Sequence, residues 1–292
     1  MKIQEKCLPC VVNQVIKTAN LLGIKEKGEL FKLVFSYLAK ADYENVLTPE
    51  LIGETYAIMK QALQSSDPYK KTRELYNTMF MNHSRELEAE IDEADDDFAA
   101  AVKYSIIGNI IDFNPIHSLS LSEIWRYFEK YKTEALAIDD TNRLKDDIRK
   151  AKRILYLGDN CGEIVLDKLL IKKIKQIHPG CEILFAVRGA PVVNDSVEAD
   201  AYAVGIQDYA AIISNADNSL GTVLYRTSPR FQSVYQSADL VISKGQANYE
   251  CLSTENKNIY FLLMTKCKVI ADDIGAPEMK MVCKALMQSP LQ

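Results

Sequence analysis

The chain of 292 residues is 48% hydrophobic, so it can bury a sizeable core, and its length favours two domains or one elaborated domain. Its formal net charge is −5, and its lysines and arginines are interspersed with acidic residues, which argues against a nucleic-acid-binding surface. No apolar run reaches the roughly 20 residues of a membrane-spanning helix, the N-terminus lacks a secretory signal, and seven scattered cysteines favour a reducing compartment, so we expect a soluble, cytoplasmic protein.

The first half of the chain has a helical hydrophobic pattern from Cys7 to about Arg149. Helix start signals stand at Thr48-Pro49 and Asp67-Pro68, where a capping residue precedes a proline. No convincing strand appears before Arg153. Residues 1–150 are therefore predicted to form an all-helical domain.

Cys7 and Cys10 form a CxxC motif whose spacing places both thiols on one helix face. Two thiolates are half of a structural zinc site, but the sequence has no second CxxC. The three histidines, His83, His117 and His178, show no ligand spacing. Core packing is therefore favoured over a metal or redox function for this pair.

Beyond residue 150 the hydrophobic period changes, and short β-rich runs alternate with helical stretches. The predicted strands are 154–157, 182–187, 239–243, 259–264 and 268–271. Such alternation implies a mostly parallel sheet covered by helices on both faces. The expected fold is thus α and β multidomain, with an N-terminal all-helical domain (1–150) and a C-terminal three-layer α/β/α domain (151–292).

The motif GDNCGE, residues 158–163, follows the first predicted strand and precedes a segment with helical spacing. In open α/β sheets, ligands bind in the crevice outside the carboxyl ends of the strands. Asp159 and Asn160 would lie there as oxygen donors. The same two residues are also good helix caps, so this motif alone leaves capping and ligand binding open.

A second polar cluster, RGAPVVND at 188–195, follows the next predicted strand. Because Gly189 and Pro191 end that strand, Arg188 and Asp195 should project from the same sheet edge as Asp159. Hard divalent cations such as Mg²⁺ and Mn²⁺ prefer oxygen ligands and are usually held by one or two carboxylates. Asp159, Asn160 and Asp195 therefore form a candidate metal site with open positions.

A third cluster, SKGQANYE at 243–250, again follows a predicted strand. Gly245 would let the backbone approach a ligand closely, Ser243 and Asn248 offer hydrogen bonds, and Lys244 suits phosphate oxygens. An ordinary glycine turn would also explain this cluster.

The charges of these clusters indicate a strongly anionic ligand. The positive charges are those of a divalent cation, Arg188, Lys244 and Lys266. Together they exceed the negative charge of Asp159 and Asp195. Surplus charge in a partly dry crevice is costly. A phosphorylated small molecule is the natural occupant.

Taken together, these motifs resemble those of the metal-dependent damage-control phosphatases, formerly called domain of unknown function 89. The resemblance covers nearly the whole chain and includes GDNCGE, RGAPVVND, SKGQANYE, Lys266 within LLMTKCKVIADD, and GNIIDF at 108–113. It implies a phosphomonoesterase that depends on a divalent metal (Mg²⁺, Mn²⁺, Co²⁺ or Ni²⁺) and acts on small, damaged or side-product metabolites. The CxxC motif is similar to that of a stand-alone microbial branch.

The resemblance also implies roles for individual residues. The metal ligands fall on Asp159, Asn160 and Asp195, and the catalytic groups on Asp159, Asp195 and Lys266. The groups that bind substrate or phosphate fall on Arg188, Ser243, Lys244, Gly245, Asn248, Asn109 and Asp112. Asn109 and Asp112 could equally be the polar end of a helix, with Gly108 as a packing residue.

Two other functions stay open at this stage. A methyltransferase that uses S-adenosylmethionine also has a glycine-containing turn after its first strand, although GDNCGE lacks a GxGxG pattern. A non-catalytic protein that binds a phosphorylated metabolite would need the same residues as the phosphatase. The physiological substrate, the preferred cation, the oligomeric state and the nucleophile, water or aspartate, are not indicated by the sequence.

Overall fold

The computed structural model describes residues 1–109 and 121–286. In the first half these residues form helices, as the hydrophobic period predicts. The helices are α1 (Leu8–Leu21), α2 (Gly28–Leu38), α3 (Thr48–Ala62), α4 (Lys70–Asp92), α5 (Asp97–Ile107), α6 (Leu121–Lys132) and α7 (Thr141–Lys150). Helix α3 begins at Thr48 with proline in its first turn, which confirms the place of that start signal, although the N-cap is Leu47 and not the threonine. Helix α4 begins at Lys70, three residues after Asp67.

The second half alternates strands and helices around one sheet. The strands are β1 (Ile138–Asp139), β2 (Arg153–Leu157), β3 (Glu182–Val187), β4 (Ala211–Ser214), β5 (Leu240–Lys244), β6 (Ile259–Met264) and β7 (Met281–Ala285). The helices between them are α8 (Glu163–Ile177), α9 (Glu198–Ala203), α10 (Pro229–Ser237), α11 (Gly245–Leu252) and α12 (Lys268–Ile274). The strand order is β1-β7-β6-β5-β2-β3-β4, and β6 and β7 form the antiparallel pair of an otherwise parallel sheet in the described chain.

Three details differ from the sequence prediction. Residues 268–271 form the start of helix α12 and not a strand, because Ile270 and Ile274 bury one helical face against the sheet. Strands β4 and β7 were not predicted. Strand β1 lies before Arg153, where no strand was expected, and its two residues pair with β7. The two residues of the edge strand β1 are too few for a periodic signal.

Helices cover both faces of the sheet, which confirms the three-layer architecture. One face packs against α4 to α8 in a single core that includes Phe80, Ile107 and Leu170. The other face packs against α10, α11 and α12. Helices α1 to α3 enclose a separate small core. The domain division at residue 150 stays a prediction, and no helix in the described ranges has the length and apolarity needed to cross a membrane.

The connections reverse direction at β2. Strand β2 lies between β3 and β5, and it is parallel to both. The chain continues from β3 to β4 on one side, and from β5 to β6 on the other. This is the topological switch point of a doubly wound sheet, where the loops diverge and leave a crevice at the carboxyl ends of the strands. The crevice is where the predicted site residues lie.

Candidate active site

The loops after β2 and β3 are joined through their backbones. Asn160 and Asp195 form an isolated antiparallel bridge. Cys161 donates its N–H to the Asn194 carbonyl at 2.9 Å, and Ser196 donates to the Asp159 carbonyl at 2.8 Å. The structure therefore brings the three predicted metal ligands, which come from two separate motifs, to one rim of the sheet.

Arg188 links the two aspartates. Its Nε lies 2.6 Å from Asp195 Oδ2, and an Nη atom lies 3.4 Å from Asp159 Oδ1. All three side chains are buried. Sequence reasoning placed Arg188 among the substrate-binding groups, and the geometry gives it a second task, which is to hold the two carboxylates in register.

Asp159 is held in a crowded acidic environment. Its Oδ2 accepts hydrogen bonds from Asn160 Nδ2 at 2.8 Å and from Asn109 Nδ2 at 3.1 Å. Burial raises the pKa of Asp159 well above its usual value, and the carboxylates of Asp195 and Glu163 raise it further. Arg188 opposes this shift only in part. A divalent cation at this point would relieve the repulsion between the carboxylates.

Asn109 reaches the site because α5 and α8 approach each other closely. A Cβ added at Gly108 would lie 3.1 Å from Glu163 Cα, so glycine permits this packing. The next residue, Asn109, is fully buried and donates to both Asp159 and Glu163. The packing role of Gly108 and the site contact of Asn109 therefore occur together. Asp112, predicted beside Asn109, lies outside the described residues.

Lys244 lies in a buried ionic network and not at the surface of the crevice. Its ammonium is 2.8 Å from Glu163 Oε1, also contacts Asp167 Oδ1, and donates to the Ser105 carbonyl at 2.9 Å. The ammonium is fully buried, so these two carboxylates and the carbonyl form its immediate surroundings. The structure thus does not support the predicted role of Lys244 as a phosphate ligand, because the ammonium is fully buried against two carboxylates and does not line the cavity of Asp159 and Asp195.

Glu163 connects this network to the site, although sequence reasoning gave it no role. Its Oε2 accepts from Asn109 Nδ2 at 2.8 Å and from Asn160 Nδ2 at 3.1 Å. Lys244 therefore fixes Glu163, and Glu163 fixes the amide groups that surround Asp159. The glutamate of GDNCGE could have signalled this, since a fully buried carboxylate requires a cationic partner.

The turn between β5 and α11 forms the other wall of the crevice. Gly245 has φ of +76°, and a Cβ added there would lie 1.9 Å from Asp159 Oδ2. Asn248 donates to the carbonyls of Gly158 and Lys244 at 3.3 and 2.8 Å, so it joins the ends of β2 and β5. Ser243 is fully buried, and its hydroxyl has no hydrogen-bond partner within the described ranges.

The metal-site residues open into a cavity of about 300 Å³. Lys266 lines this cavity after the end of β6, and its backbone N–H donates to Gln246 Oε1 at 3.1 Å. Helices α1 and α3 form the far wall, which sequence reasoning did not place near the site. A larger cavity of about 720 Å³ between α4 and α9 contains none of the predicted site residues.

Cys7 and Cys10 line the same cavity as Asp159 and Asp195. Cys10 is exposed and Cys7 is half-buried, so the interpretation of this pair as core residues is wrong. Cys7 is the N-cap of α1 and Cys10 lies in its first turn, which places the CxxC motif in the cavity wall.

The donor set fits a hard divalent cation. Asp159, Asp195 and Asn160 supply two buried carboxylates and one amide to the lining of the same cavity, where substrate and water oxygens could complete a coordination sphere. No cluster of three or more His, Cys, Asp or Glu side chains suited to a metal occurs in residues 1–109 and 121–286. A site with only two carboxylates is typical of Mg²⁺ and Mn²⁺ centres that complete their coordination with water and substrate oxygens.

Comparisons with known proteins find relatives that match nearly the whole chain. The family model described as the damage-control phosphatase ARMT1-like domain matches residues 3–282. A damage-control phosphatase of Pyrococcus horikoshii is 32% identical over 97% of this chain and 98% of its own. One of Archaeoglobus fulgidus is 32% identical over 98% of this chain and 100% of its own. A crystal structure of a DUF89 family protein from Pyrococcus horikoshii superposes with a TM-score of 0.87 at 30% identity, covering 98% of this chain and 100% of that one.

Proposed function

The chain belongs to the damage-control phosphatase ARMT1-like family, and on that premise we propose that it is a metal-dependent phosphatase of small phosphorylated metabolites. The observation that carries this proposal is the convergence of Asp159 and Asp195, bridged by Arg188, beside a cavity that contains Lys266. A cavity of about 300 Å³ suits a small molecule.

Asp159, Asn160 and Asp195 would hold the cation, which we expect to be Mg²⁺, Mn²⁺, Co²⁺ or Ni²⁺. When bound, such a cation supplies Lewis-acid polarisation of a phosphoryl oxygen. The protein's task is to keep the oxygen donors in place, which Arg188 and Glu163 do through the contacts described above.

Lys266 is the cation that we assign to the phosphoryl group. It lines the cavity, and its positive charge lowers the pKa of Asp159. This effect is smaller than those of burial, the neighbouring carboxylates and Arg188 on the same pKa. A lysine in this position would neutralise charge that develops on the transferred phosphoryl oxygens. Gly245 allows the N-terminus of α11 to lie close to Asp159. The backbone amides of a helix N-terminus favour binding of an anion such as phosphate.

Two alternatives are less well supported. The turn after β2 lacks the glycine-rich pattern of a nucleotide cofactor site, and membership of this family favours a phosphatase over a methyltransferase. A binding protein without turnover would use the same pocket, and phosphate release under multiple-turnover conditions separates the two. A cytoplasmic location and the lack of nucleic-acid partners stay predictions from the sequence.

The test measures hydrolysis of p-nitrophenyl phosphate by purified protein with each of the four cations. We expect Asp159→Asn and Asp195→Asn to lower kcat about 100-fold or more, because each removes a charged ligand with little change in volume. Asp146→Asn is the matched control, since that aspartate is exposed on α7. Wild-type rates in both site variants would overturn the proposal, provided that both remain folded.

A further inference from the structure

The cavity contains one more carboxyl group that the metal site does not use. Among the described residues that line it, the acidic side chains are Asp159, Asp195 and Glu250. The two aspartates are assigned to the cation and both contact Arg188. Glu250 lies on α11, the helix that begins at Gly245 beside Asp159.

Glu250 is connected to the phosphate end of the cavity through Gln246. The Gln246 side chain hydrogen-bonds the Glu250 carboxyl, and it also accepts the backbone N–H of Lys266 at 3.1 Å. Glu250 lies five positions after Gly245, which is about 7.5 Å along a helix axis. Gly245 lies beside Asp159, and Glu250 lines the same cavity as Asp159, Asp195 and Lys266, so the organic part of a phosphomonoester bound at the cation site would extend into the region that Glu250 lines.

The surroundings of Glu250 favour the protonated acid. Burial raises the pKa of the carboxyl to about 7, against hydrogen bonds from Gln246 and Thr48 and the charge of the Met1 ammonium, which lower it. The Met1 ammonium donates to the Glu250 carbonyl, and the thiols of Cys10, Cys251 and Cys267 also face this region. The carboxyl can therefore hold a proton near neutral pH and lose it in mildly alkaline solution.

We propose that Glu250 is the general acid that protonates the leaving oxygen, an inference that rests on the phosphatase function proposed above. As the bond between phosphorus and the ester oxygen breaks, the electron pair stays on that oxygen, and the Glu250 proton converts it to an alcohol. Water supplies the new oxygen on phosphorus, and one of its protons stays on that oxygen in the hydrogen phosphate product. Its second proton passes to solvent, from which Glu250 is protonated again.

A comparison of leaving groups tests this proposal. An alkyl phosphate such as glycerol phosphate needs protonation of its leaving oxygen, whereas the nitrophenolate of p-nitrophenyl phosphate leaves readily without it. General acid catalysis contributes about 10²- to 10⁴-fold. We expect Glu250→Gln to lower kcat for the alkyl phosphate by about that factor, and to change kcat for the aryl phosphate by less than about 10-fold. Glu255→Gln, outside the cavity, is the control and should match wild type on both substrates.

The pH profile supplies a second readout. Wild-type kcat for the alkyl phosphate should fall as pH rises above about 7, because the acid must be protonated. Glu250→Gln should lack this alkaline limb. In Thr48→Val the limb should move to higher pH, because the hydrogen bond from Thr48 lowers the pKa of the acid. The Thr48 variant keeps the proposal testable if Glu250→Gln fails to fold.

Three results would overturn the assignment: equal losses on both substrates, no loss on either, or an alkaline limb that Thr48→Val does not move. If the wild-type protein hydrolyses neither substrate with any of the four cations, the phosphatase function itself is refuted. The two failures are therefore distinguishable.

Discussion

Replacement of Lys244 by methionine tests two roles for this residue. The sequence predicts a phosphate ligand, whereas the structure shows the partner of a buried ion pair. The ammonium of Lys244 is fully buried against Glu163, Asp167 and the Ser105 carbonyl. Lys244→Met keeps most of the volume but leaves two buried carboxyl groups without their cation. The variant should therefore be strongly destabilised and should not simply bind phosphate less tightly.

The expected loss is large relative to the stability of a folded protein. Removal of one partner from a buried ion pair costs about 3–5 kcal/mol, whereas total unfolding free energies are about 5–15 kcal/mol. Burial already raises the pKa of Asp167 to about 6, even though Lys244 lowers it. Without Lys244 the carboxyl will take up a proton, and each unit of pKa shift corresponds to about 1.4 kcal/mol.

Urea denaturation at pH 7.5 measures this loss. Lys32→Met is the control, because that lysine is exposed and pairs with the exposed Glu29, so a change within about 0.5 kcal/mol is expected. Asp167→Asn combined with Lys244→Met should lose less than the sum of the single changes, since the second substitution removes one unpaired charge. An unchanged unfolding midpoint together with a raised KM for substrate would refute this reasoning and restore Lys244 as a phosphate ligand.

Two further predictions concern the cavity walls. Gly245→Ala should abolish activity and destabilise the fold, because at φ of +76° the added Cβ would overlap Asp159 Oδ2. Gly275→Ala is the control and should keep wild-type activity, since its φ is +80° but no atom lies within 4 Å of its added Cβ. Equal activity in the two variants would contradict the steric argument. Alkylation of Cys10 requires the thiolate and should therefore be faster at alkaline pH, and it should block the cavity and lower phosphatase activity. Inhibition that persists in Cys10→Ser would exclude that thiol as the cause.

The sequence by itself determined the layered fold and the rim where the site lies. The strand periodicity around 154–157 and 182–187 places GDNCGE and RGAPVVND directly after adjacent parallel strands. Because the carboxyl ends of parallel strands share one edge, the convergence of Asp159 and Asp195 follows from local patterns alone. The same local rule failed at 268–271, where a β-branched run forms a buried helical face.

Only the tertiary structure decided which polar side chains face the cavity. Ser243 and Lys244 are consecutive at the end of β5, and successive strand residues point to opposite faces, so one motif cannot present both to the same ligand. Lys244 instead meets two carboxylates on α8, and Glu250 and the CxxC motif reach the cavity because α11 and α1 pack around it. Such contacts join residues that are distant in sequence. A buried charge needs a partner because its desolvation is costly, and the local hydrophobic period does not show which partner it meets.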